Sequence, residues 1–201
     1  MEDVVPFHGL LCVGVCFSSG QCVSLLSWDS APVEPPSFSQ VWLTEATGKS
    51  TCYLDPGSAA DVFRFYHSFE RVIGATVGLQ WVTPENLSVR VHTEGVELDL
   101  RMRIGAPVFV RGLNALLRTP ARTLLRSRGT TDAGRRYLHQ PHRLATIATA
   151  EATLNGRSLG SFTPAPRSLR VAGNPVPNRP MLSFCTHYLE PYTRSRTCSD
   201  A

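Results

Sequence analysis

One lysine, Lys49, stands beside nineteen arginines in this chain of 201 residues. The scarcity leaves a single side chain able to form a Schiff base, and its setting, Thr47-Gly48-Lys49-Ser50, reads as a solvated hairpin turn without a desolvating pocket. A phosphate-binding loop is excluded as well. The motif needs a glycine five positions before Gly48, where Leu43 stands, and a helix afterwards, where the pattern reads as a strand.

Long hydrophobic runs are also missing. The apolar stretch from Phe7 to Phe17 is short and interrupted by glycine, so no transmembrane segment is expected. The chain opens Met1-Glu2-Asp3 without a cationic leader, which predicts a cytoplasmic protein whose cysteines, at 12, 16, 22, 52, 185 and 198, are reduced. Cys12, Cys16 and Cys22 lack the two-residue spacing of a zinc knuckle and read as buried, inert thiols. No cofactor and no metal is expected.

What is present is enough for one core. An apolar fraction of 42% and a charged fraction of 18% place the chain among globular proteins able to fold alone. Charge is polarised along it. Residues 1–100 carry twelve acids against Lys49, Arg64, Arg71 and Arg90, and residues 101–201 carry sixteen arginines against four acids. The halves should attract; internal pairing, a homodimer or an anionic partner on the basic half would each use that attraction.

Apolar strands are expected at Leu10 to Phe17 and Val23 to Trp28 around Ser18-Ser19-Gly20, followed by a proline-rich connection, residues 31–36. Gln40 to Glu45 and Ser50 to Leu54 bracket a second hairpin turn. Ser58 is the expected N-cap of an amphipathic helix carrying Val62, Phe63, Tyr66, Phe69 and Ile73.

Strict alternation from Leu87 to Ile104 about Thr93-Glu94-Gly95 predicts a hairpin with one dry face: Val89, Val91, Val96, Leu98, Leu100 and Met102. Between Pro107 and Ser127 the period becomes helical, with Leu113, Leu116, Leu117, Leu124 and Leu125 on one side. Thr119-Pro120 divides this stretch into two short helices. Arg128 to Arg143 reads as a long polar loop. Strands resume at Leu144 to Leu154, Ser158 to Phe162, Ser168 to Val171 and Met181 to Leu189, with Asn155-Gly156 as a type I′ turn.

The expected fold is therefore mainly β, an antiparallel barrel or two-sheet sandwich with two or three short helices, as one domain over 1–190 and a frayed tail over 191–201. In strand pattern, Trp81 to Phe162 resembles the lipocalin-like β-barrels that include carotenoid hydratases. The Asp-His-x-Trp signature of that group has no match here, and no site residue is carried over from it.

Three functions fit these residues. The first is a binding module enclosing a small apolar or amphipathic ligand, its anionic end met by arginines of the 111–143 region: Arg111, Arg118, Arg122, Arg135, Arg136 and Arg143, with Tyr137. The second is an enzyme acting on such a ligand. Cys185 and His187 share one face of a strand, where an imidazolium favours a thiolate, and His139 and His142 flank Pro141 in the long loop. The third is an interaction protein docking a basic helix on an acidic surface, since Arg111, Arg118, Arg122 and Arg126 are spaced seven, four and four. Few aromatics accompany these arginines, which disfavours single-stranded nucleic acid.

Overall fold

A computed structural model describes residues 4–192. The first hairpin joins β1 (Val5–Phe17) to β2 (Cys22–Ser30), and a second joins β3 (Phe38–Thr44) to β4 (Ser50–Asp55). The proline-rich connection between them carries no strand, because a ring in place of an N–H cannot serve a ladder. A 3-10 turn, Gly57–Ala59, leads into helix α1 (Ala60–Tyr66).

This helix is shorter than expected. Ser58 lies inside the 3-10 turn and makes no capping bond, and the helix ends at His67, whose backbone is extended. Phe69 lies beyond it, and Ile73 belongs to strand β5 (Arg71–Gly74), which pairs parallel with β4. Helical spacing had grouped two residues that reach the core from other elements.

Next come β6 (Thr76–Thr83), β7 (Asn86–Thr93) and β8 (Val96–Gly105), then helix α2 (Val108–Leu117) and a 3-10 helix, Pro120–Leu125. Thr119 is extended and its hydroxyl accepts from the backbone N–H of Ala121, so the Thr-Pro break falls where the sequence places it. The leucine stripe does not fall as expected. Val110 and Leu117 are buried, whereas Leu124 projects into solvent.

Residues 128–143 are not a loop. Strand β9 (Ser127–Thr130) turns at Thr131 to Gly134 into β10 (Arg136–Leu154), nineteen residues long, which pairs with β9, β8, the last strand β15 (Met181–Leu189) and the two-residue β11 (Arg157–Ser158). Polar composition hid this strand because partners on both sides satisfy its backbone whatever its side chains are. Asn155 (φ 51°) and Gly156 (φ 75°) turn β10 into β11, as the Asn-Gly pair demands. The rest of the expected Ser158 to Phe162 strand is interrupted, resuming only as β12 (Phe162–Thr163). The chain ends with β13 (Arg170–Val171), β14 (Asn174–Pro175) and β15 (Met181–Leu189).

Among the described residues these strands form one large mixed sheet, in the order β5-β4-β3-β2-β1-β15-β10-β8-β7-β6, plus the small β13–β14 hairpin. No closed barrel is found among the described residues. The first and last strands of the path, β5 and β6, are nevertheless consecutive in sequence, parted only by Ala75. The Ala75 N–H donates to the Leu54 carbonyl (3.0 Å), and the Val77 N–H to the Asp55 carboxylate (2.8 Å).

Both faces of this sheet are apolar in its first half. One face gathers Leu25, Val41, Val89, Leu98, Leu100 and Leu182 into a single cluster, and the other gathers Phe7, Trp28, Trp42, Leu54, Cys185 and Leu189 beneath Val62, Phe63 and Tyr66 of α1. This explains two sequence textures. Strands β2 and β3, buried on both faces, show no alternation and bury Ser24, Ser27 and Gln40 among apolar residues; β7 and β8, buried on one, alternate.

The cysteines require a correction. Cys16 and Cys22 face each other across β1 and β2 and are bridged, while Cys12, Cys52 and Cys185 are free and buried. A register shift between Cys12 and Val15 separates Cys12 from Cys16, which pack in different clusters despite their even spacing. Cys198 and most of the expected frayed tail lie outside the described residues. Tyr192 lies within them and packs edge-on against Phe65.

Candidate functional site

The second apolar face is not fully filled. A cavity of about 380 Å³ lies between that face and a cover made by α1 and the β13–β14 hairpin. Its walls are mainly aromatic and aliphatic, with Trp28, Trp42, Phe38, Phe63, Leu26 and Val171 among them. The cover is tethered. Tyr66 donates its hydroxyl proton to the Glu190 carbonyl (2.6 Å), and the Asn174 amide donates to the carbonyls of Thr130 (3.1 Å) and Ala172 (2.8 Å).

Polar groups gather at one side of this cavity. His139 of β10 and His187 of β15 sit directly opposite each other in the ladder, and their Nδ1 atoms are 3.4 Å apart. His139 Nε2 lies 3.1 Å from the Ser183 hydroxyl, two strand positions from Cys185 on the same face. The Tyr137 ring stacks on His187 at 5.0 Å, and Trp28 tilts against it at 5.7 Å. Burial pushes both histidines down, His139 to about 4 with help from His142, and His187 to about 3 with help from His139 and His67. Both imidazoles are therefore neutral near pH 7, and one Nδ1 donates to the other.

A third histidine lines the cavity. His67 follows α1, and its Nδ1 lies 2.8 Å from the Asp132 carboxylate, which also accepts from the Ser68 N–H and hydroxyl (2.8 Å each). Burial works against the charge on Asp132, but the bonds from His67 and Ser68 outweigh it and hold the carboxyl at about 2. Gln40, also on the wall, accepts from Trp42 Nε1 at 2.9 Å.

The sequence candidates divide sharply. Cys185 and His187 do share a face, but burial pushes the Cys185 thiol up to about 12 and keeps His187 neutral, so a thiolate–imidazolium pair does not form near pH 7. Ser183 beside His139 has the spacing of a hydroxyl and its general base, yet an imidazole held near 4 is a weak base at neutral pH. His142 is parted from His139 by a bulge after Pro141 and instead meets the Thr186 hydroxyl (2.7 Å), which also meets His8 (3.1 Å). Among the described residues no three histidine, cysteine or acidic side chains converge as metal ligands.

The arginines lie elsewhere. Arg136 pairs with Glu190 at 2.9 Å; Arg135 lies 3.8 Å from the same carboxylate, donates to the Phe65 carbonyl and covers the Phe65 ring at 4.0 Å. Arg143 lies over Phe184 at 5.3 Å. Arg111, Arg118 and Arg122 are exposed on α2 and the 3-10 helix. Of the residues expected to meet an anionic ligand end, Tyr137 alone lines the cavity.

Trp28, Trp42, His67, Asp132 and Ser183 did not stand out in the sequence. The signal for the tryptophans was the density of aromatics in β2 and β3. Nothing local marks Asp132 or Ser183, whose partners are 65 and 44 residues away. No family model, curated protein or solved structure matches the chain.

Proposed function

We propose that this protein is a binding module for a small, largely apolar ligand carrying one neutral hydrogen-bonding group. The aromatic cavity with neutral His139 and His187 at one side carries this reading, since small-molecule sites pair apolar walls with a few placed polar groups. An anionic ligand end is less well served. Arg135 and Arg136 are committed to Glu190 and Phe65, and Arg111, Arg118 and Arg122 do not line the cavity.

The test is titration with N-phenyl-1-naphthylamine, a neutral apolar fluorophore, against the native protein and Leu144→Trp, which places an indole at the cavity wall. Saturable fluorescence gain in the native protein, lost in a folded Leu144→Trp variant, supports the reading. Equal binding by both, or none by the native protein, overturns it.

A further inference from the structure

Five large apolar side chains are markedly exposed among the described residues, and three of them, Val108, Phe109 and Leu124, lie on α2 and the adjoining 3-10 helix, each more than 70% exposed. Val110 and Leu117 already anchor α2 to the body, and the Asn114 carboxamide clamps the backbone of Leu144 through two 2.8 Å bonds. The exposed apolar residues are thus left over after the helix has docked. The same segment carries Arg111, Arg118 and Arg122, all exposed, and no acidic residue occurs anywhere from Pro107 to Thr131. Asp132, the first acid after that stretch, is committed to His67 and Ser68.

We propose that α2 and the 3-10 helix Pro120–Leu125 form a docking surface for an anionic lipid membrane. Such a surface offers both things this segment lacks: diffuse negative charge for uncompensated arginines, and an apolar layer for single projecting side chains. An acidic protein would supply the charge. It would also need a groove or pocket to receive Phe109, Val108 and Leu124, which project from two different elements. No helix among the described residues is long and apolar enough to cross a membrane, so docking would be peripheral. Leu144, whose backbone Asn114 grips, lines the cavity, so the docked side of α2 adjoins the cavity wall.

The experiment is co-sedimentation of the full chain with phosphatidylserine–phosphatidylcholine vesicles and with phosphatidylcholine vesicles alone. Native protein should pellet with the anionic vesicles only, and raising the ionic strength from about 0.05 M to about 0.5 M should release it. Phe109→Ser with Leu124→Ser should weaken binding about tenfold or more. Arg118→Glu with Arg122→Glu should weaken it by about 25-fold or more, about fivefold for each lost charge. Because all four positions are exposed, circular dichroism and melting temperature should match the native protein, which separates lost docking from lost fold. Failure to pellet with anionic vesicles, equal pelleting with neutral ones, or undiminished binding by either variant overturns the proposal. Binding to an acidic protein without vesicle binding does the same.

Discussion

His139 and His187 occupy one rung of the β10–β15 ladder, with Nδ1 atoms 3.4 Å apart, and burial holds both below the ordinary imidazole value of 6.5. Above pH 6.5 neither state of the chain binds a proton at these sites. As pH falls below that value the unfolded chain takes up protons and the folded one does not, so stability falls, by at most about 1.4 kcal/mol per pH unit for each histidine. The loss continues to about pH 4 for His139 and about pH 3 for His187, then levels. His187→Phe should roughly halve this slope in urea unfolding. An unchanged slope would mean that His187 does not govern it.

Asp132 ties the turn between β9 and β10 to the end of α1. Asp132→Asn replaces a charged acceptor with a neutral one and should cost about 1–3 kcal/mol, read as a lower urea midpoint near pH 7. Its folded value is depressed, so the contribution is full above pH 3.8 and disappears as pH falls through about 2. The native and variant curves should therefore converge in acid.

Leu98 is wholly buried where β7, β8 and the opposite part of the sheet meet. Leu98→Asp should unfold the domain, since an unpaired carboxylate there costs several kcal/mol. Retention of the native melting temperature to within about 2 °C would contradict the register.

Reversing Arg135 should reduce stability more than reversing Arg136. Arg135 is half-buried over Phe65 and bonded to its carbonyl, and Arg136 is mostly exposed beside Glu190. Thermal melts of the two single variants compare them directly. Equal, negligible effects would show that Glu190 contributes nothing to holding this basic segment.

The hairpins and the alternation of Leu87 to Ile104 were legible because those features are local: turn residues and a period of two. The Thr119-Pro120 break was legible for the same reason. Strands β5 and β6 and the part of β10 before Leu144 were not, since Arg71–Gly74 and residues 136–143 acquire strand character from neighbours distant in sequence. The candidate site was half visible. His139 and His187 stood out by residue type, but their meeting depends on the pairing of β10 with β15, and the cavity depends on aromatics that looked like ordinary core.

Strands β5 and β6 mark the two ends of the sheet path and are joined through Ala75. An open sheet this wide would present two bare rims, each able to template the strand of another molecule. Here the rims are folded toward each other, and the amides of Ala75 and Val77 find their acceptors in Leu54 and Asp55 of the same chain. The amides of Ala75 and Val77 are thereby withdrawn from pairing with another molecule. Asp55→Ala, which strips away one acceptor, would leave the core intact and the molecule more prone to aggregate.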